Sequence, residues 1–463
     1  MPELGGGVTT QVRPGLRYAA TSAQLDLDPI DAGAGLARNA DGQFVLFERH
    51  GEVSVGFGAA AEIVMDRRQI RFRAQGGWET VPTGDEPLQQ VGELLGGCGI
   101  ADWRAYGWFG FELSYLLHGR PELAGDATLA HLIVPAAEAR LTPNNAELRA
   151  LRIADLGTLC DEVNLLREEP AKQVGGELAD EMVDYDGYRR RVASAVADIR
   201  AHRLQKVILS RVVPVPGGAD LVSTYQAGRR GNTPARSFLL NLGDLRAAGF
   251  SPETVVEVRG DGTVTTQPLA GTRALSGAAT EDAALCEELL NDPKEVYEHA
   301  VSVRGAQEEL RAVCVDGSVL VEEFMSVSRR GSVQHLASRV TGQLAATRNR
   351  WHAMAGLFPA VTVSGLPKPA ACEAIHRYEN EPRDLYGGAV VVAGADGSLD
   401  AALVLRTVFQ RGDRTWLRVG AGVVEQSTPE REFEETREKL RSISRFLVAA
   451  EKQAPVGDAV VVP

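Results

Sequence analysis

Short β-rich runs cross the chain from Phe44 to Val423: FVLFE, EVSVGFG, EIVM, QIRFRA, KVILSRVVPV, RSFLLNL, AVVVAG, LDAALVLRTVFQ and RTWLRVGAG, parted by glycine or charged turns. Helical periods fall between some of them, yet not in the regular strand–helix alternation of a doubly wound sheet. This irregular mixture constrains the fold most. It predicts an α+β architecture of large, mostly antiparallel β-sheets with helices packed on the outside. The 463 residues suffice for two or three average domains, although large mixed folds reach that size as one unit. We divide the chain into a loose lead-in over 1–30, one main domain over 31–452 with a soft internal division near 168–186, and a tail over 453–463.

Charge and cysteine usage narrow the function classes. With 62 acidic against 49 basic residues the net charge is −13, and no Lys/Arg run marks a nucleic-acid face. An anionic substrate therefore needs a local cationic site or a metal rather than a global field. Five scattered cysteines without a C-x-x-C pair read as buried thiols of a reducing cytoplasm. No secretory leader is apparent, and no run reaches the ~18 apolar residues of a membrane span. Neither G-x-S-x-G nor a G-x-x-x-x-G-K-[ST] loop occurs, against the common hydrolase and P-loop classes.

Two acidic helices offer chemistry. Near the C-terminus a short Gly420-Ala421-Gly422 turn leads through Ser427, Thr428 and Pro429 into a charged helix. Thr428 suits the N-cap, Pro429 the first helical position, and Glu430 and Glu432 the positive end of the dipole. Phe433, Leu440, Ile443 and Leu447 form its apolar stripe, and Glu432, Glu435 and Lys439 share a second face. That face equally suits a solvated surface of ion pairs worth about 0.2–0.5 kcal/mol each. Upstream, Asp292-Pro293 opens a helix with Glu295, Glu298 and His299 on one side. If the two helices meet, four hard oxygen donors converge, a set that suits Mg²⁺. His299 reads as a packed helix histidine. The Gly420–Gly422 run lacks the third glycine of a dinucleotide site, but its N–H groups could hold a carboxylate. Lys206, at a strand entrance, and Glu253, in FSPETV, form a potential base and acid: shielding from water can fit a lysine for the first role and a glutamate for the second.

A series of strings then follows in order: KVILSR (206–211), FSPE (250–253), PLAGTR (268–273), KEVYEHAVSV (294–303), SVQHLAS (332–338), TVSGLPK (362–368), YGGAV (386–390), LRVGAGVVEQSTPEREFEET (417–436) and EKL (438–440). As a set they resemble the chorismate-utilising enzymes: anthranilate synthase component I, aminodeoxychorismate synthase, isochorismate synthase and salicylate synthase. The resemblance spans roughly Phe44 to Leu447, and RSFLLNLGDLRAAGFSPETV looks most like the salicylate synthases of siderophore biosynthesis. It implies one α+β unit whose cleft holds Mg²⁺-bound chorismate. Glu298 and Glu435 would be the principal metal carboxylates, with Glu295 and Glu432 supporting through water. Lys206 would activate water for attack at ring carbon C2, and Glu253 would protonate the departing C4 hydroxyl. Tyr386, Arg406, the Gly420–Gly422 backbone and Lys439 would bind the enolpyruvyl carboxylate, while Gly271, Thr272 and His335 would line the ring. A lysine at position 206 favours water over ammonia as nucleophile. The product is then salicylate with pyruvate, or isochorismate if the intermediate is released. A monomer without a glutamine amidotransferase subunit is implied. Two departures stand out: Gln267 precedes PLAGTR where an acidic residue is expected. Arg49 fills the serine position of the LLES-type segment of anthranilate synthase, against a tryptophan feedback site.

Overall fold

The computed structural model describes residues 15–450, apart from 75, 169, 171, 176–182, 185 and 332. Its frame is two large sheets, one of eleven strands and one of twelve, and every ladder between named strands is antiparallel. The run FVLF shows how a sequence builds this frame. All four residues are buried, but Phe44 and Leu46 join one apolar cluster while Val45 and Phe47 join another. Side chains alternate across a strand, so a continuous apolar run means burial on both faces. Val45, Phe47, Phe238 and Leu240 of the eleven-stranded sheet meet Tyr106, Trp108, Ile133 and Val390 of the twelve-stranded sheet in one core. The sheets thus pack face to face, and helices cover their outer sides, as the expected fold class has it.

Helices form where caps and apolar stripes agree. Asp292 caps the Pro293–Arg311 helix, its Oδ1 accepting from the backbone N–H groups of Lys294 (2.8 Å) and Glu295 (3.2 Å). Thr428 caps the Pro429–Ser444 helix through the Arg431 N–H at 3.4 Å, with Pro429 in its first turn. Phe433, Leu440, Ile443 and Leu447 are all at most 5% exposed. The aromatic-rich segment Ala105 to Leu117 divides between the strand Arg104–Phe109 and the short helix Leu113–Leu117.

Three expectations change, and one helix is added. The lead-in is not loose after residue 15: Ala19–Leu25 pairs along its whole length with Asn144–Ala150, and a helix begins at Pro29. Residues 1–14 and the tail 453–463 lie outside the described residues. A helix over Ile153–Leu165 precedes the soft division and buries only Leu159 and Val163, too few for an apolar period to show. LDAALVLRTVFQ is two strands, Leu399–Leu403 and Thr407–Arg411, broken where Arg406 adopts a φ of 51°. Finally, Gly420-Ala421-Gly422 is no turn. It lies inside the strand Arg414–Val423, paired with Ser210, Leu209 and Ile208 of Lys206–Pro214. Among the described residues no helix is long and apolar enough to cross a membrane.

Candidate active site

A cavity opens where the two sheets and the two acidic helices converge. Of the residues singled out from sequence, Glu253, Gly271, Thr272, Glu298, His335, Tyr386, Arg406, Gly420, Gly422, Glu435 and Lys439 line it. Lys206, Glu295 and Glu432 stand behind that lining. All three are buried: Lys206 contacts Glu298 and Glu295 the Thr272 N–H, both in the wall, while Glu432 accepts from Lys294.

The glycines of the Arg414–Val423 strand are explained by close approach. A Cβ on Gly422 would stand 2.2 Å from Glu298 Oε1, and one on Gly420 would meet Leu209 O at 2.7 Å and the Tyr386 hydroxyl at 2.8 Å. Only a bare backbone lets the carboxylate and the phenol reach this wall. Gly422→Ala must displace Glu298, so we expect a destabilisation of about 1–3 kcal/mol in denaturant unfolding. An unchanged midpoint would show that the carboxylate moves aside freely.

Lys206 opens its strand and is 1% exposed; its Nζ lies 2.9 Å from Glu298 Oε1 and donates to Ser302 Oγ at 3.0 Å. Glu253 sits elsewhere in the wall, bound by different partners. Its Oε2 accepts from the Leu269 N–H at 2.9 Å and its Oε1 from the Thr362 hydroxyl. Burial outweighs these bonds and the nearby Lys206 and Arg406 charges, and pushes the carboxyl up to about 7.

Arg406, held at its left-handed backbone position, gives one N–H to Arg330 O (3.0 Å) and another to His335 Nε2 (2.5 Å). His335 therefore carries its proton on Nδ1, facing Thr272 Oγ1 at 3.1 Å. Burial, then Arg406, keeps this imidazole well below its usual range and neutral. Among the described residues no carboxylate bonds to Arg406, and burial with Arg330 nearby pulls the guanidinium down to about 9. A planar guanidinium in a cavity wall has the geometry to take a carboxylate bidentately.

The acidic helices do meet. Glu295, Glu298 and Glu432 each feel Glu435 electrostatically. Burial, reinforced by Glu435, pushes Glu432 up to about 7. Glu435 is equally buried, but Lys439 at 2.7 Å and Lys294 overcome that and hold it down at about 2. Lys206 and Lys294 likewise overcome burial to lower Glu298, while burial and Glu435 raise Glu295. Gly271, at φ 82°, brings the Thr272 N–H within 3.0 Å of Glu295 Oε2. Among the described residues no three carboxylate, histidine or cysteine groups stand together as a finished metal cage. Each carboxylate leans on a cation instead: Glu298 on Lys206, Glu435 on Lys439, and Glu295 and Glu432 on Lys294. The donors nonetheless fit a hard divalent cation. All are carboxylate oxygens, and Glu432 Oε2 is fully buried with no hydrogen-bond partner among the described residues.

Sequence reasoning missed Thr362, Ser302 and Lys294. Thr362 and Lys294 stand inside the strings TVSGLPK and KEVYEHAVSV, but their roles depend on partners 109 and 138 residues away. His299 is the packed histidine expected, 2.7 Å from Ser338 Oγ.

Residues 39–445 match the family of chorismate binding enzymes. The chain belongs to that family. Within it, the chain is 43% identical over 434 residues to a salicylate synthase of Mycolicibacterium paratuberculosis, covering 92% of this chain and 95% of the relative. It is 39% identical over 272 residues to an anthranilate synthase component 1 of Haloferax volcanii, covering 58% and 51%. The fold is shared with the menaquinone-specific isochorismate synthase of Escherichia coli (TM-score 0.71, 22% identity, 94% and 96% covered). It is shared too with anthranilate synthase component I of Streptococcus pneumoniae (TM-score 0.70, 23% identity, 88% and 93% covered).

Proposed function

We propose that this family member is a Mg²⁺-dependent salicylate synthase, converting chorismate through isochorismate to salicylate and pyruvate and supplying salicylate for siderophore assembly in the cytoplasm. One observation carries the reading. A single cavity joins Arg406, a guanidinium with no carboxylate bonded to it among the described residues, to Glu253, a carboxyl that holds its proton near neutrality. The likeness to a salicylate synthase along nearly its whole length supports it.

In this reading Lys206 accepts a proton from water as the water oxygen adds to ring carbon C2. Glu253 gives its proton to the C4 hydroxyl, which departs as water while the ring double bonds shift. One water enters and one leaves, so the step is an isomerisation. Tyr386, Arg406, the Gly420–Gly422 backbone and Lys439 bind the enolpyruvyl carboxylate, and Gly271, Thr272 and His335 line the ring. Isochorismate then loses pyruvate by an intramolecular hydrogen transfer, which asks of the protein mainly a held conformation. Mg²⁺, bound by Glu298 and Glu435 with Glu295 and Glu432 supporting, would supply the positive charge that the dianionic substrate needs at its ring carboxylate. A single chain carries both steps, with no amidotransferase partner.

Chromatography of products from chorismate, with Mg²⁺ and then with EDTA, tests the proposal. Salicylate and pyruvate should appear together and only with Mg²⁺. Isochorismate accumulating alone would make the protein an isochorismate synthase, and unchanged chorismate would end the catalytic reading.

A further inference from the structure

Lys294 differs from the two other lysines of the site. Lys206 is fixed between Glu298 and Ser302, and Lys439 between Glu435 and Gly420 O at 3.3 Å. Lys294 reaches Glu432 Oε1 at 3.0 Å and Glu295 Oε1 at 3.5 Å, and the charges of Glu435 and Glu298 act on it as well. One ammonium is thus shared by all four carboxylates that the two helices bring together. Its side chain keeps 17% exposure, against 1% for Lys206 and 26% for Lys439. It stands in the first turn of its helix and, unlike Lys439, does not border the cavity.

Three ammonium groups, Lys206, Lys294 and Lys439, face the four carboxylates Glu295, Glu298, Glu432 and Glu435. Arg273 reaches Glu295 at 3.4 Å but lies closer to Asp292 (2.6 Å) and Glu288 (2.8 Å). An ammonium and a divalent cation are alternative counterions for the same oxygens, and two cations a few ångströms apart in a buried site repel strongly.

We propose that Lys294 is a built-in counterion of the carboxylate cluster, seated on Glu432 and Glu295 in the metal-free protein and withdrawn to solvent when a divalent cation takes those oxygens. The inference rests on the Mg²⁺ reading above and adds to it an exchange inside the protein. The lysine keeps four buried carboxylates from repelling one another without metal, and it weakens metal binding by competing for the same oxygens. The metal concentration at which the site fills is then set by a residue that touches neither substrate nor cavity.

Two measurements test this without relying on turnover. Reductive methylation of lysines, read by mass spectrometry of the wild-type protein, should label Lys294 severalfold faster with saturating Mg²⁺ than with EDTA, while Lys206 stays protected in both. Calorimetric titration with Mg²⁺ should show Lys294→Met binding about tenfold more tightly than wild type, and Lys294→Arg no more tightly than wild type. Thermal unfolding in EDTA should show Lys294→Met melting below wild type, with Mg²⁺ closing the gap. A Lys294 label that Mg²⁺ leaves unchanged or slows overturns the proposal, as does a Lys294→Met protein that binds Mg²⁺ no more tightly. Wild-type protein that neither takes up Mg²⁺ nor forms salicylate would instead overturn the underlying reading, so the two failures can be told apart.

Discussion

Lys206→Met is expected to lower the rate of isochorismate formation from chorismate by about 10²–10⁴. The substitution keeps the length and apolar stem of the side chain and removes the group that takes the proton from water. It also removes a partner of Glu298, which lies 2.9 Å away. A purely structural role for Lys206 would therefore disturb metal binding and both chemical steps together. The proposed base role predicts a split. Supplied with isochorismate, the variant should still release pyruvate at close to the wild-type rate, because the second step needs no base. Product analysis on both substrates decides the matter: equal loss on each would make Lys206 a scaffold for Glu298 rather than the base.

Glu253→Gln should show a comparable loss on chorismate, about 10²–10⁴, together with a gain in stability at alkaline pH. The sign follows from burial. The Glu253 carboxyl lies at about 7 in the folded protein, against 4.5 for an ordinary glutamate. Its neutral form is favoured by folding, so its contribution is fully present below about pH 4.5 and is lost as pH rises through about 7. Above that range the folded protein must hold a buried charge, at a cost of order 3 kcal/mol. A glutamine carries no such charge. It can accept from the Leu269 N–H, and the Thr362 hydroxyl can turn to accept from the new amide. The unfolding midpoint of the variant should therefore exceed that of wild type at pH 8.5 and match it near pH 5. The wild-type kcat/KM should fall as pH rises above about 7, because the acid has given up its proton before substrate arrives. A variant that loses stability at pH 8.5 would mean that Glu253 is ionised and structural.

Much of this site is legible in the residue order, and the parts that are not share a cause. Glu295/Glu298 and Glu432/Glu435 are visible because i, i+3 spacing places each pair on one helix face, a local geometric fact. The caps Asp292 and Thr428 are visible for the same reason. Gly420-Ala421-Gly422 misleads because glycine's local meaning is a turn, whereas here the missing Cβ makes room for Glu298 and Tyr386, which arrive from elsewhere in the chain. Lys294 reads as one more charge on a helix until its partner Glu432 comes in from 138 residues away. The break at Arg406 is hidden because a left-handed arginine has no sequence signature, although its backbone position lets the guanidinium reach His335. The strand Ala19–Leu25 escapes notice because only one of its seven residues is fully buried.

The way the first 150 residues are woven into both sheets bears on how this protein can be handled. Phe44–Arg49 lies against Arg236–Leu242, and Arg104–Phe109 against Ala389–Gly394, so N-terminal strands occupy the middle of each sheet. Every residue singled out for the site falls between 206 and 439, which makes the C-terminal two thirds look like a convenient minimal fragment. Cutting there would uncover two long, apolar strand edges with their backbone N–H and C=O groups unpaired, ready templates for intermolecular pairing. Such a fragment should aggregate, and any attempt to shorten or split the protein for engineering has to keep the N-terminal strands, in cis or as a co-expressed piece.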